Sequence, residues 1–293
     1  MGKLGIVGPD CYLCLLRQAL SAAKLATSDS ELQKEILWRA IKIVSSSAPE
    51  EAPPAVLYFR INRMIRELSG SEDPYREHKR EANRRALDLY PALSDLWRRA
   101  EDPLLAAVRI SIVGNLLDLV AKPIPPSRDE LLDLIRNAPF AINHYEKLKE
   151  EISKASKILL LADNCGEIVF DKILLLELGR RGARIKVAVR GGPLGDDATL
   201  EDARYVGLDE LAEIITTGFD GPPIFELCSP EFLQAFEEAD LVISKGAANY
   251  EILWGEDKNI FFLLPIKCPS FCRHFNSPEG ALVLISPWRR GSD

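Results

Sequence analysis

The sequence is short of positive charge, of long apolar runs and of histidine, and each shortage excludes a class of protein. Its formal net charge is −7, whereas a general nucleic-acid binder needs a basic surface to bind phosphate backbones. No uncharged apolar run approaches the roughly 20 residues that a membrane-spanning helix requires. We therefore expect neither a nucleic-acid partner nor a membrane partner.

Residues 1–9 contain one lysine and a short, weakly apolar run, which predicts neither a secretory signal nor a membrane span. The cytoplasm is thus the expected compartment, and there the six cysteines are expected to be thiols, metal ligands or core residues rather than disulfides. No segment predicts an obligate protein partner. Two basic clusters, at residues 60–66 and 79–85, alternate with apolar residues and acids at helical spacing, so they predict solvated helix faces.

Only three histidines are present: His78, His144 and His274. A histidine-based phosphatase would need histidines at the ends of strands, but His78 and His144 fall in helical segments among charged residues. These two are expected to be surface or helix-packing groups.

The chain changes character near residue 150. Before it, apolar residues recur at helical spacing, as in residues 31–45 and 104–119, and Pro54 and Ser127 mark further helix starts. After it, short apolar runs alternate with helical segments, which is typical of βαβ units. We therefore predict an all-helical domain at residues 1–150 and an α/β domain at residues 151–293, with a mostly parallel sheet in a three-layer αβα, Rossmann-like arrangement. The strand-like runs are residues 158–161, 185–189, 213–217, 241–244, 260–264 and 281–285.

Asp163 and Asn164 stand where the first of these strands ends, and Gly166 and Glu167 then open a helical segment. Carboxylate and amide oxygens are the ligands that hard divalent cations prefer. By itself, an Asp-Asn-x-Gly sequence is also ordinary turn and helix-capping chemistry. The other strand ends therefore decide between the two interpretations.

The loops after the second and fourth predicted strands, at residues 189–199 and 244–251, are also polar, and they hold three glycines and one glycine respectively. Because parallel strands end at the same edge of a sheet, we expect these loops to share one crevice with the first. Three oxygen ligands for a divalent ion are available there: Asp163, Asn164 and either Asp196 or Asp197. Two cations are expected to offset the charge of a bound phosphoryl group: Lys245 and Arg190.

The three loops contain the motifs D-N-x-G-E-x-x-x-D at residues 163–171, D-A-T-x-x-D-A at residues 197–203 and S-K-G-x-x-N-Y-E at residues 244–251. Together they resemble the motifs of the DUF89 family, the ARMT1-like damage-control phosphatases. Residues 73–75 with Lys79 and Asn83, and residues 114–115 with Asp118, are similar to the family as well, so the resemblance covers most of the chain. The N-terminal C-x-x-C is similar to that of archaeal and bacterial-type members.

The resemblance implies a phosphatase that depends on a divalent metal ion (Mg, Mn, Co or Ni) and hydrolyses small phosphorylated metabolites, sugar phosphates among them. It implies that Lys245 faces the phosphate and that three residues bind the metal: Asp163, Asn164 and Asp197. Further candidates for orienting ligands or binding sugar hydroxyls are Glu167, Asn249 and Glu251. The attacking oxygen is either that of a water molecule or that of a carboxylate, for which Asp163 stands in the right place.

Two close pairs of cysteines lie near the two ends of the chain: Cys11 with Cys14, and Cys268 with Cys272. Four thiolates, or three together with His274, would complete a tetrahedral zinc site. The alternative is that all four are small buried hydrophobic residues. Cys165 has acidic neighbours, which raise the pKa of a thiol, and we therefore predict that it packs in the core and is not a nucleophile.

Two other functions remain open from the sequence. An S-adenosylmethionine-dependent carboxyl methyltransferase also uses a crevice at strand ends, but its first loop is expected to be glycine-rich, whereas residues 163–167 are acidic and hold one glycine. A non-catalytic protein that binds a metal ion or a phosphorylated metabolite is the second alternative, and nothing in the sequence excludes it.

Overall fold

The first three helices form a small bundle with an apolar core of its own. The computed structural model describes residues 7–46, 52–117 and 126–287. Helices α1 (Pro9–Ala26), α2 (Ser30–Ser46) and α3 (Pro54–Ser69) pack around one cluster. Each helix buries residues that are four positions apart, which gives one apolar stripe per helix: Leu15, Ala19, Ile36, Ala40, Leu57, Ile61 and Ile65. The helices predicted at residues 31–45 and from Pro54 are confirmed.

The next helices share one apolar core with the sheet. They are α4 (Arg76–Arg98), α5 (Pro103–Gly114), a short 3-10 helix (Asn115–Leu117) and α6 (Arg128–Asn137). Asp102 begins α5 by accepting a hydrogen bond from the backbone N of Leu105 at 3.1 Å, and Ser127 and Glu130 form the predicted capping box of α6. The α-helix predicted over residues 104–119 ends at Gly114, and residues 118–119 lie outside the described residues.

Seven strands form one sheet in the order β1-β7-β6-β5-β2-β3-β4. Their bounds are β1 (Phe140–Asn143), β2 (Lys157–Leu161), β3 (Arg184–Val189), β4 (Glu213–Thr216), β5 (Leu241–Lys245), β6 (Ile260–Pro265) and β7 (Leu282–Ile285). Neighbours from β4 to β6 pair in parallel, whereas β7 is antiparallel to β6 and parallel to β1. Because β3 and β5 flank β2, the strand order reverses there, and a crevice opens between the loops that follow β2 and β5.

Helices cover both faces of this sheet. They are α7 (Tyr145–Lys154), α8 (Glu167–Gly179), α9 (Leu200–Tyr205), α10 (Pro230–Glu238), α11 (Gly246–Leu253) and α12 (Pro269–Phe275). Ile158 and Leu160 of β2 pack on the face that α4, α5 and α8 cover, while Leu159 and Leu161 pack on the face of α10, α11 and α12. Successive strand residues point to opposite faces, so β2 is apolar throughout. The predicted three-layer αβα arrangement with a mostly parallel sheet is confirmed.

The helical half and the α/β half are interwoven. Strand β1 lies before residue 150 and pairs with β7, and α7 runs across the predicted domain boundary. Helices α4 and α5 share one apolar core with β2 and α8. The division at residue 150 stays a prediction. Among the described residues, no helix combines the length and the apolarity needed to cross a membrane.

Candidate functional site

The loops that follow β2 and β3 are joined backbone to backbone. Asn164 and Asp197 form an isolated antiparallel bridge. On either side of it, the backbone N of Cys165 donates to the carbonyl of Asp196 at 2.8 Å, and that of Ala198 donates to the carbonyl of Asp163 at 2.8 Å. These bonds bring together the three residues that were predicted to bind a metal ion. All three are buried: Asp163 is 6% exposed, Asn164 4% and Asp197 6%.

The junction between β5 and α11, at Lys245 and Gly246, closes the crevice from the other side. Gly246 has φ +76°, and a Cβ atom at this position would overlap the carboxylate of Asp163. A glycine is therefore needed at this position for two reasons: the backbone is left-handed, and the Asp163 carboxylate approaches it closely. Asn249, one turn into α11, donates from Nδ2 to the carbonyls of Lys245 (2.9 Å) and Ala162 (3.2 Å), which fixes its side chain beside the end of β2.

Lys245 points into the protein. Its ammonium group is fully buried and donates to Asp171 Oδ1 at 2.7 Å, to the carbonyl of Ser111 at 3.0 Å and to a carboxylate oxygen of Glu167. Burial by itself would lower the pKa of Lys245, but the two carboxylates raise it above the usual value. All three protons of the ammonium group are thus engaged by protein groups. The predicted contact of Lys245 with a phosphate is not available in this arrangement.

Glu167 likewise faces buried partners where the sequence suggested a substrate contact. Besides Lys245, it accepts hydrogen bonds from the side chain of Asn115 and from the backbone N of Asn164 at 3.2 Å. Burial raises the pKa of Glu167, and Lys245 opposes that rise. The ion pair of Lys245 and Glu167 therefore supports the loop of Asp163 and Asn164 from below.

Asn115 was not selected as a site residue from the sequence, and it contacts the central carboxylate. Its Nδ2 donates to Asp163 Oδ2 at 3.0 Å. Burial and the neighbouring charge of Glu167 raise the pKa of Asp163 to about 6, while Arg190, Lys267 and Asn115 lower it. Lys267 also donates to the backbone carbonyl of Asn115 at 3.1 Å, which places a second cation close to the crevice.

Arg190 lies in the crevice, between the carboxylates of Asp163 and Asp197. Its Nε donates to Asp197 Oδ2, and its Nη2 lies 3.7 Å from Asp163 Oδ1. The guanidinium is 3% exposed, and within the described part of the chain Nη2 has no hydrogen-bond partner. A buried donor without an acceptor is costly, so this nitrogen is placed to receive an anionic oxygen.

The residues around Asp163 suit a hard divalent cation. Two buried carboxamide oxygens, Asn115 Oδ1 and Asn249 Oδ1, have no hydrogen-bond donor among the described residues. Oxygen atoms of this kind, next to the carboxylates of Asp163 and Asp197 and the amide of Asn164, form the donor set that Mg²⁺ or Mn²⁺ prefers. Within residues 7–46, 52–117 and 126–287, no group of three or more His, Cys, Asp or Glu side chains has the geometry of a metal site.

A second network, on α4, holds the same loop in place. Asn83 is fully buried and accepts from the backbone N of Gly166 at 2.7 Å. Lys79 is 3% exposed and pairs with Asp73 at 3.0 Å and with Asp202 at 2.9 Å. The prediction that residues 79–85 form a solvated helix face is therefore wrong for these two side chains. Both side chains belong to the part of the chain that resembles the family, and their spacing of four puts them on one face of α4.

Glu251 lies on α11 and makes a different contact from the predicted one, which was with a ligand or a sugar hydroxyl. Its carboxylate accepts from the backbone N of Ala55 at 2.9 Å and so caps the start of α3. Burial raises the pKa of Glu251 to about 7, although the hydrogen bond from Ala55 lowers it. In the structure this side chain therefore joins the three-helix bundle to the α/β unit.

The two cysteine pairs meet where α1 and α12 begin. Cys11 Sγ lies 3.2 Å from Ser270 Oγ, and Asp10 pairs with Arg273 at 2.8 Å. Cys268 caps α12, and burial raises the pKa of its thiol. Both pairs are half-buried free thiols, and a zinc site formed by them stays a prediction. Cys165 is 1% exposed and burial raises the pKa of its thiol well above the usual value, in agreement with a packing role.

The comparisons with known proteins agree with the motifs in this crevice. A family model described as the damage-control phosphatase ARMT1-like domain matches residues 7–283. The chain belongs to this family. The match covers the three-helix bundle, the helices α4 and α5 and the sheet as far as residue 283 in β7, so the site lies within the shared architecture.

Relatives in this family cover nearly the whole chain. A damage-control phosphatase of Archaeoglobus fulgidus is 36% identical over 283 residues, which are 94% of this chain and 98% of that protein. A damage-control phosphatase of Pyrococcus horikoshii is 32% identical over 280 residues, 94% of this chain and 96% of that protein. The crystal structure of a DUF89 family protein from Pyrococcus horikoshii is similar with a TM-score of 0.85 at 31% identity, covering 95% of this chain and 98% of that one.

Proposed function

We propose that the protein is a metal-dependent phosphatase that hydrolyses small phosphorylated metabolites such as sugar phosphates. The observation that carries the proposal is the convergence of Asp163, Asn164 and Asp197 at the point where the strand order of the sheet reverses. The phosphatase names of its relatives support the reaction class. The substrate and the need for a metal ion rest on the chemistry of the crevice.

Asp163, Asn164 and Asp197 would hold the divalent ion, with the free oxygens of Asn115 and Asn249 nearby. A bound ion supplies Lewis-acid polarisation of the phosphoryl group and a template for its orientation. Arg190 binds a phosphoryl oxygen through its free Nη2. The water oxygen forms a bond to phosphorus as the bond from phosphorus to the ester oxygen breaks, and the leaving alcohol takes up the proton that the water loses.

Two roles change from those that the sequence suggested. Lys245 and Glu167 form a buried ion pair beneath the crevice. There they hold the loop of Asp163 in place and contribute to the electrostatic potential at the Asp163 carboxylate. Asp163 receives a hydrogen bond from Asn115 on one oxygen and faces Arg190 with the other. A carboxylate held on both sides is suited to binding a metal ion, so we propose water rather than Asp163 as the nucleophile.

The test is phosphate release from a panel of sugar phosphates in the presence of Mg²⁺, Mn²⁺, Co²⁺ or Ni²⁺ and in EDTA. We expect turnover with at least one ion, none in EDTA, and a loss of about 10²-fold or more in Asp163→Asn, which keeps the shape and removes the charge. Asp209→Asn on the exposed side of the same domain is the control. Absence of metal-dependent phosphate release, together with thermal stabilisation by S-adenosylmethionine, would favour the methyltransferase instead.

A further inference from the structure

A large cavity adjoins the crevice on the side of β3 and β4. It has a volume of about 940 Å³ and lies between the start of α4, helix α9 and the loops that follow β3 and β4. This volume is at the upper end of the range of about 300–1,000 Å³ that is typical of small-molecule sites. Arg190 lines the cavity and also contacts Asp197, so the cavity and the crevice share this side chain.

The cavity is cationic, although the chain as a whole carries a net charge of −7. Five cations line it, Arg76, Lys79, Arg80, Arg190 and Arg204, against three acids, Asp73, Glu201 and Asp202. Lys79 with Asp73 and Asp202 carries a net charge of −1, and Arg190 with Asp197 carries none. The rim arginines Arg76, Arg80 and Arg204 against Glu201 carry +2, so the positive charge of the cavity lies at its rim.

These rim arginines are available to a ligand. Arg204 forms no ion pair with any acid in the described part of the chain, and it is exposed. Arg80 approaches Glu77 at 3.2 Å and Glu201 at 3.7 Å, but all three side chains are more than half exposed. Exposed ion pairs of this kind are weak and exchange readily for a stronger anion such as phosphate.

Arg190 connects the cavity with the crevice. Its Nε is bound to Asp197 and its free Nη2 faces Asp163, so a phosphoryl group at the crevice contacts the inner wall of the cavity. Leu200 and Tyr205 line the same cavity, and Tyr205 is 56% exposed. The rim arginines Arg76, Arg80 and Arg204 line it as well.

We propose that this cavity binds the far end of the substrate and selects phosphomonoesters that carry a second anionic group, a phosphate or a carboxylate. Arg80 and Arg204 bind the second anion, while the scissile phosphate lies beside Arg190. The proposal rests on the proposed phosphatase function for its account of turnover. Its binding step is independent of turnover.

The test compares glucose 1,6-bisphosphate with glucose 6-phosphate in the wild type and in an Arg80→Gln/Arg204→Gln variant. We expect the ratio of kcat/KM, bisphosphate over monophosphate, to fall about tenfold or more in the variant. The control is Arg99→Gln/Arg128→Gln, which removes two arginines from a surface pocket at the other end of α4. An equal ratio in the wild type and the rim variant would overturn the proposal.

Calorimetric titration in EDTA separates this proposal from the phosphatase reaction. We expect the wild type to bind the bisphosphate about tenfold more tightly than the monophosphate, and the rim variant to lose that preference. If the wild type binds both equally, the second-anion site is refuted even where hydrolysis is observed. If the preference is present but no substrate is hydrolysed with any metal ion, the phosphatase function fails and the anion site stands.

Discussion

At the scale of single residues, the crevice depends on one glycine. Gly246 has a positive φ, and the space for its missing Cβ is filled by the Asp163 carboxylate. We expect Gly246→Ala to displace Asp163 and to weaken Mn²⁺ binding by about 10–100-fold, measured by calorimetry. Gly182→Ala is the matched control, because Gly182 has φ +82° with nothing within 4 Å of a Cβ. Equal losses in both variants would show that backbone strain, and not the contact with Asp163, is responsible.

The sequence predicts some residues of the crevice and not others, for a physical reason. Asp163, Asn164 and Asp197 are predictable because they follow parallel strands, and the ends of such strands meet at one edge. Asn115 and Asn83 come from helices far upstream, and their place depends on how α4 and α5 pack against α8. Helical spacing shows which face of a helix they share, but not whether that face is buried. Lys79 was therefore expected to be exposed to solvent, because charged residues are rarely buried unless they are paired.

At the scale of elements, Glu251 of α11 joins the start of α3, and its protonation is linked to folding. Burial raises the pKa of Glu251 to about 7 from a usual value of 4.5. The folded protein therefore holds a proton that the unfolded chain releases, so the stability from this group is greatest below about pH 4.5 and declines as the pH rises to about 7. Above that pH both states are ionised and the contribution is constant.

We accordingly expect Glu251→Gln to unfold at nearly the same temperature as the wild type at pH 5 and at a higher temperature at pH 8. Glutamine keeps an oxygen that accepts from the backbone N of Ala55 and removes the buried charge. Glu237→Gln, at an exposed position of α10, is the control. A difference in melting temperature that is the same at both pH values would contradict the linkage.

Elements were predictable where their own periodicity is strong. Strands β2, β3, β5 and β6 are buried on both faces and appear as apolar runs, which is why they were predictable. Strand β1 has four residues that are largely half-buried, and its partner β7 lies far along the chain, so no local pattern marks it. Residues 244–251 were interpreted as a loop because of their polar residues, whereas α11 begins at Gly246 and turns Lys245 and Asn249 inward.

At the scale of the whole molecule, the helical half and the α/β half each complete the apolar core of the other. Helix α5 is buried on nearly every side, and Gly114 at its end lies so close to α8 that a Cβ atom there would be 2.7 Å from Phe170. Val108 and Ile112 of α5 share one core with Ile168 and Leu174 of α8. Separating the halves would therefore expose a large apolar area on both, at a cost of roughly 25 cal/mol per Å².

We expect residues 151–293, produced alone, not to fold cooperatively. The fragment would leave one face of the sheet without α4 and α5 and would lack β1, the partner of β7. The expected signs are retained far-UV circular dichroism, weak near-UV signal and binding of a hydrophobic dye. Co-expression with residues 1–150 is the control and should restore a single thermal transition. A cooperative transition of the isolated fragment would instead establish residue 150 as the border of an independent domain, since a fragment that buries its own core needs no partner.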